Sequence, residues 1–144
     1  MSKTKYDICF SITAHENIAV VYNLYENIVK WNADKKCLVV FRMHAELYAM
    51  RDSIPSHQNL LFCPITTPMA RFSSTIFFGH VDNYNYVCGL GHQFEFFCML
   101  ASDCLFVRTP AFEAAPLDPR KTQYKYPDTE IWMSAEFFAN TQLN

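Results

Sequence analysis

The sequence predicts an α/β domain of three layers, a mostly parallel sheet flanked by helices, on three observations. Its strand-like runs are short and apolar throughout rather than alternating, as strands covered on both faces require. Most of these runs lead into a segment with helical spacing or a helix-start signal. The strand-then-helix order recurs without an internal sequence repeat or a low-complexity tract, which is the pattern of one alternating domain over residues 1–144.

Tyr6-Asp7-Ile8-Cys9-Phe10-Ser11-Ile12 is the first strand. Thr13-Ala14-His15-Glu16 reads as a capping box, and Ile18, Val21, Tyr22, Tyr25, Ile28 and Val29 follow at helical spacing, so a helix to about Trp31 is predicted. Cys37-Leu38-Val39-Val40-Phe41 is the second strand, and His44 to Asp52 has helix-compatible composition that Ile54-Pro55 closes. Asn59 to Ile65 is the third strand. Thr67-Pro68 then places a cap residue before a proline tolerated in a first helical turn, predicting a helix from about Met69 to Phe78.

Between His80 and Gln93, Tyr84, Tyr86, Val87 and Leu90 suit either a continued helix or an irregular aromatic segment. Phe94 to Leu100 is the fourth strand, interrupted at Ser102-Asp103 and resumed by Leu105-Phe106-Val107. Pro116, Pro119 and Pro127 among charged residues mark 114–130 as a connection. Ile131 to Asn140 reads as a closing helix with Trp132, Phe137 and Phe138 as its apolar surface.

Composition excludes several function classes. The net charge is -2 with both signs interspersed, so there is no electrostatic footprint for nucleic acid. No signal peptide is visible, and no apolar run approaches the ~20 residues of a membrane helix. Cys9, Cys37, Cys63 and Cys98 lie inside apolar runs with no CxxC spacing, as buried free thiols do in a reducing cytoplasm. A soluble cytoplasmic chain is expected. With only Gly79, Gly89 and Gly91, the chain has neither a GxGxxG fingerprint nor a Walker A loop, and no Gly-x-Ser-x-Gly elbow. Its histidines lack metal-like spacing.

In an open parallel sheet, ligands collect at the carboxyl ends of the strands. Polar residues fall there in this chain: Ser11, Thr13, His15, Glu16 and Asn17 after strand one, Arg42 and His44 after strand two, Thr66 and Thr67 after strand three, and Ser102 and Asp103 after strand four. Asp103, stranded between two apolar runs, is expected to meet a cation, a ligand or several hydrogen-bond donors, because an unpaired buried charge is too costly. Helix N-termini at such a rim attract phosphate, and a carboxylate there holds a ribose hydroxyl or a divalent metal.

Two blocks carry a family resemblance. Ile8-Cys9-Phe10-Ser11-Ile12-Thr13-Ala14-His15-Glu16-Asn17 resembles the opening strand and nucleotide-contacting turn of GT-A fold glycosyltransferases, most of all the branching N-acetylglucosaminyltransferase and xylosyltransferase type. Phe97 to Val107, with Ala101-Ser102-Asp103-Cys104 at its centre, is similar to the strand and Asp-containing turn of those enzymes. The likeness spans about residues 6 to 113 and implies a Rossmann-like, GT-A-like domain. It implies a nucleoside diphosphate sugar as donor and a glycan or other hydroxyl as acceptor. Ser11, Thr13, His15 and Asn17 would contact the nucleotide, Arg42 would neutralise phosphate, and Ser102 and Asp103 would orient ribose or diphosphate. Asp103 would act directly or through Mn2+ or Mg2+, and stands alone where many of these enzymes have Asp-x-Asp; metal-independent transfer is also known in the type. Glu113, Asp118, Asp128, Glu130 and Glu136 are the carboxylates left beyond that turn to supply a base. The alternative is a non-catalytic α/β module that docks a protein through its aromatic C-terminal segment.

Overall fold

The structure, a computed structural model, describes residues 4–70 and 74–106. Four strands, β1 (Lys5–Ala14), β2 (Cys37–Met43), β3 (Leu60–Phe62) and β4 (Gln93–Ala101), form one parallel sheet in the order β3-β2-β1-β4. Helices α1 (Ile18–Trp31), α2 (Ala45–Ala49) and α3 (Ser74–Gly89) connect them, and a 3₁₀ turn at Arg51–Ser53 follows α2. This is the Rossmann-like α/β class the apolar runs predict.

The two central strands are buried along almost their whole length, which is why they show no alternation in the sequence. Ile8, Phe10 and Ile12 with Val39, Phe41 and Met43 face one side, and Cys9, Ser11 and Thr13 with Leu38, Val40 and Arg42 face the other. Helix α1 packs on the first face through Val21, Leu24, Tyr25 and Ile28. Helix α3 covers the second. Its Val87 joins Tyr6, Cys9, Leu38, Val40 and Cys63 in an apolar cluster.

Four boundaries differ from the sequence reading. The predicted capping box does not form: Thr13 still belongs to β1 and is buried, while Asn17 caps α1 by accepting the Val20 N–H at 3.0 Å. Parallel pairing with both β2 and β4 holds Thr13 in the strand, so the cap moves to the first residue free of the sheet. The helix expected over 69–78 instead runs Ser74–Gly89, so the ambiguous aromatic stretch is helical. Strand three is limited to Leu60–Phe62. Strand four ends at Ala101, and within the described residues Leu105 and Phe106 do not rejoin the sheet. The 114–130 connection and the helix at 131–140 lie outside the described residues.

Candidate ligand-binding site

The chain adds β2 and β3 to one side of β1 and then returns to lay β4 on the other side. The order of the strands therefore switches between β1 and β4, and open α/β sheets bind ligands outside the carboxyl ends of their strands at such a switch. Register makes the juxtaposition definite: Thr13 pairs with Ala101, so the 14–17 turn and the 102–104 turn leave the sheet side by side.

A tether on α1 fixes the second turn. Asn27 donates from Nδ2 to the Phe106 carbonyl at 3.0 Å and accepts the Phe106 N–H on Oδ1 at 2.7 Å, pairing with the backbone as a neighbouring strand would. The Phe106 ring meets Phe10 edge to face. The chain after β4 is thereby drawn across toward α1, the helix that begins at the first turn.

At this rim Ser102 is 4% exposed, and its hydroxyl lies beside the Glu16 carboxylate. Burial alone raises the Glu16 carboxyl. The Ser102 hydroxyl, the backbone N–H groups of His15 and Glu16, and the His15 ring outweigh it and hold the group below its ordinary value, so it is charged at neutral pH. Its contacts are nonetheless weak: Oε2 accepts the His15 N–H at 3.3 Å, and Oε1 lies 3.5 Å from His15 Nε2. His15 and Asn17 are exposed on the same turn.

Asp103 lies at this rim but is not buried, contrary to the expectation of a carboxylate stranded in apolar surroundings. The reason is the end of β4 at Ala101, which turns the following apolar residues out of the strand; Leu105 is 62% exposed. Asp103 accepts only a long contact from the Cys104 thiol, 3.7 Å. Among the described residues, its oxygens have no other hydrogen-bond partner.

The other three candidates sit beneath α3. Ser11 is fully buried in mid-strand; Asn83 Nδ2 donates to its Oγ at 3.0 Å, leaving the hydroxyl proton to reach His80 Nδ1 at 2.8 Å. That arrangement needs a neutral imidazole, and burial pushes His80 down to about 4. Thr13 packs its methyl against α3 near Gly79. Arg42 ends β2 as expected, yet it is 1% exposed and its guanidinium turns inward. Nη1 donates to the Met43 carbonyl, Nη2 to the Thr67 carbonyl and Oγ1, each at 2.7 Å, and Nε to Asp82 at 3.2 Å. A desolvated guanidinium without such partners costs several kcal/mol. Arg42 therefore works as a clamp joining β2, the 63–70 loop and α3, with its fork already filled by protein acceptors.

The structure thus brings together His15, Asn17, Ser102 and Asp103, and separates them from Ser11, Thr13 and Arg42. It keeps Glu16 at the rim where the sequence set it, and it adds Asn27, which carries no local sequence signal because its partner is far along the chain. Among the described residues, no three His, Cys, Asp or Glu side chains gather to hold a metal ion. A divalent cation that keeps most of its waters asks the protein for only one or two carboxylates. Comparison with known protein families, curated proteins and solved structures returned no match.

Proposed function

We propose that this chain binds a nucleoside diphosphate sugar at the rim formed by the 14–17 and 102–104 turns and serves glycosyl transfer to an acceptor hydroxyl. The observation that carries the reading is the Thr13–Ala101 register, which sets an exposed carboxylate and a helix N-terminus at one switch point. The first-turn N–H groups of α1 suit a phosphate. Asp103 would hold Mn2+ or Mg2+, which when bound neutralises the diphosphate and stabilises the departing nucleotide. His15 would contact the nucleotide, as would the Asn17 amide nitrogen, its oxygen being taken by the Val20 N–H, whereas Ser11, Thr13 and Arg42 shape the wall behind it. All six cysteines are free thiols, in keeping with a cytoplasmic setting, and no described helix is long and apolar enough to cross a membrane.

Calorimetric titration of the full chain with uridine and guanosine diphosphate sugars, with and without Mn2+, tests the reading. Binding is expected to be lost or weakened at least about tenfold in Asp103→Asn, a loss of about 1.4 kcal/mol. Equal affinity in the variant and the parent would remove Asp103 from the site. Failure of both nucleotides to bind would end the proposal.

A further inference from the structure

In the order β3-β2-β1-β4, β3 is an edge strand. Its pairing with β2 uses alternate residues: the Val39 N–H donates to the Asn59 carbonyl at 2.8 Å, and the Cys63 N–H donates to the Phe41 carbonyl at 2.9 Å. The main-chain groups of Leu60 and Phe62 therefore point off the open side of the sheet. The His57 carbonyl satisfies the Leu60 N–H at 3.2 Å, but among the described residues the Leu60 carbonyl and the N–H and carbonyl of Phe62 make no hydrogen bond. The same two residues line a groove of about 480 Å³ with Arg51, Ile54, Pro55 and His57. Arg51 is preset there: its guanidinium lies over the Tyr48 ring, 4.4 Å from the centroid, and Nη1 donates to the Tyr48 carbonyl at 3.1 Å. Nη2 has no partner among the described residues. Asp52, its side chain 83% exposed, stands 3.6 Å from Nε, a surface pair too long for a hydrogen bond.

We infer that this edge takes an extended acidic peptide as an added strand, with a carboxylate side chain of that peptide seated on Arg51. An acceptor, a donor and an acceptor at strand spacing are matched by another extended main chain. The groove's held charge is the positive one of Arg51, whose fork suits a carboxylate, so the complementary charge on the peptide is negative. Ile54, Leu60 and Phe62 give apolar surface to the side chains at alternate positions of the added strand. With three residues in β3, the captured segment is short. β2 separates β3 from β1, so peptide docking and nucleotide binding stand or fall independently.

The probe is a capped hexapeptide of alternating valine and threonine with one central glutamate, titrated into the full chain beside its glutamine counterpart and a fully N-methylated form that cannot pair as a strand. The glutamate peptide is expected to bind and to slow hydrogen exchange at the Phe62 amide. Replacing its glutamate by glutamine, or Arg51→Gln in the chain, should weaken binding about tenfold. Asp52→Asn removes a competing carboxylate and should not weaken it, and the N-methylated form should not bind. A thermal melt checks that each variant is folded, and the peptide series on the parent chain decides the matter even where a variant is not. No binding of the glutamate peptide, equal binding of the N-methylated or the glutamine form, or binding that leaves exchange at Phe62 unchanged overturns the inference. Slow exchange at Phe62 in a peptide-free chain that sediments as a dimer would give the edge to a second copy and overturn it as well.

Discussion

At the scale of single residues, two glycines of one helix have opposite roles. A Cβ on Gly79 would stand 2.7 Å from Met69 Sδ, 2.8 Å from Thr13 Cγ2 and 3.3 Å from Arg42 Cγ. The methionine can swing aside, but Thr13 is fixed in a central strand. Gly79→Ala is therefore expected to destabilise by about 1–3 kcal/mol despite the gain in helix propensity, because overpacking outweighs it. Gly89 has nothing within 4 Å of the same added atom, and Gly89→Ala is expected to be stabilising by up to about 1 kcal/mol. Urea denaturation of the pair decides the matter; the same sign for both would show that α3 does not need its close approach at Gly79. Composition alone shows three glycines in 144 residues and says nothing of which one touches the sheet.

At the scale of elements, the tether from Asn27 binds α1, the helix behind the first turn, to the segment that follows the second. Asn27→Ala removes two hydrogen bonds and leaves the Phe106 backbone groups to water, a cost of about 1–2 kcal/mol. The expected readout is a lower denaturation midpoint, together with a weakening of nucleotide diphosphate binding larger than Asn23→Ala causes on the exposed side of the same helix. Equal effects of the two substitutions would disconnect the tether from the site. Elements of this kind mark the boundary of what could be read from sequence. Strands one and two, helix α1 and the parallel order were legible, because burial on both faces writes itself as unbroken apolar runs; strand four is equally apolar in sequence yet lies half-exposed at the sheet edge, so its run does not report burial. The end of strand one was not legible, since Thr-x-x-Glu satisfies a local rule that sheet pairing on both sides overrides. The course of α3 was obscured by Gly79, His80 and Asn83, which look like breakers until they are seen to bond and pack against Ser11 and Thr13. Asp103 was located at the correct rim, but its exposure depends on where β4 stops.

At the scale of the whole molecule, stability should follow a plateau in pH with two falling limbs. His80 is held neutral with its pKa lowered from 6.5 to about 4, so the unfolded chain takes up a proton first on acidification. Its contribution is complete above about pH 6.5 and is lost as pH falls toward 4, amounting to at most about 3 kcal/mol. On the alkaline side burial pushes Cys9 up to about 12 and Cys37 up to about 11, so stability declines above pH 9, where the thiols of the unfolded chain ionise. Urea titrations from pH 5 to 8 should show the acid limb, and His80→Gln should flatten it; an unchanged slope in that variant would assign the limb to other groups. The face beneath α3 is apolar toward one end and, from Ser11 through Asn83 to Arg42 and Thr67, bonded by direction toward the other. Grease alone would let a helix slide by a turn, whereas directional bonds admit a single setting, like teeth meshed in a rack. A helix keyed in this way keeps one setting on its sheet, and the freedom that is left belongs to the short turns at the sheet's carboxyl rim.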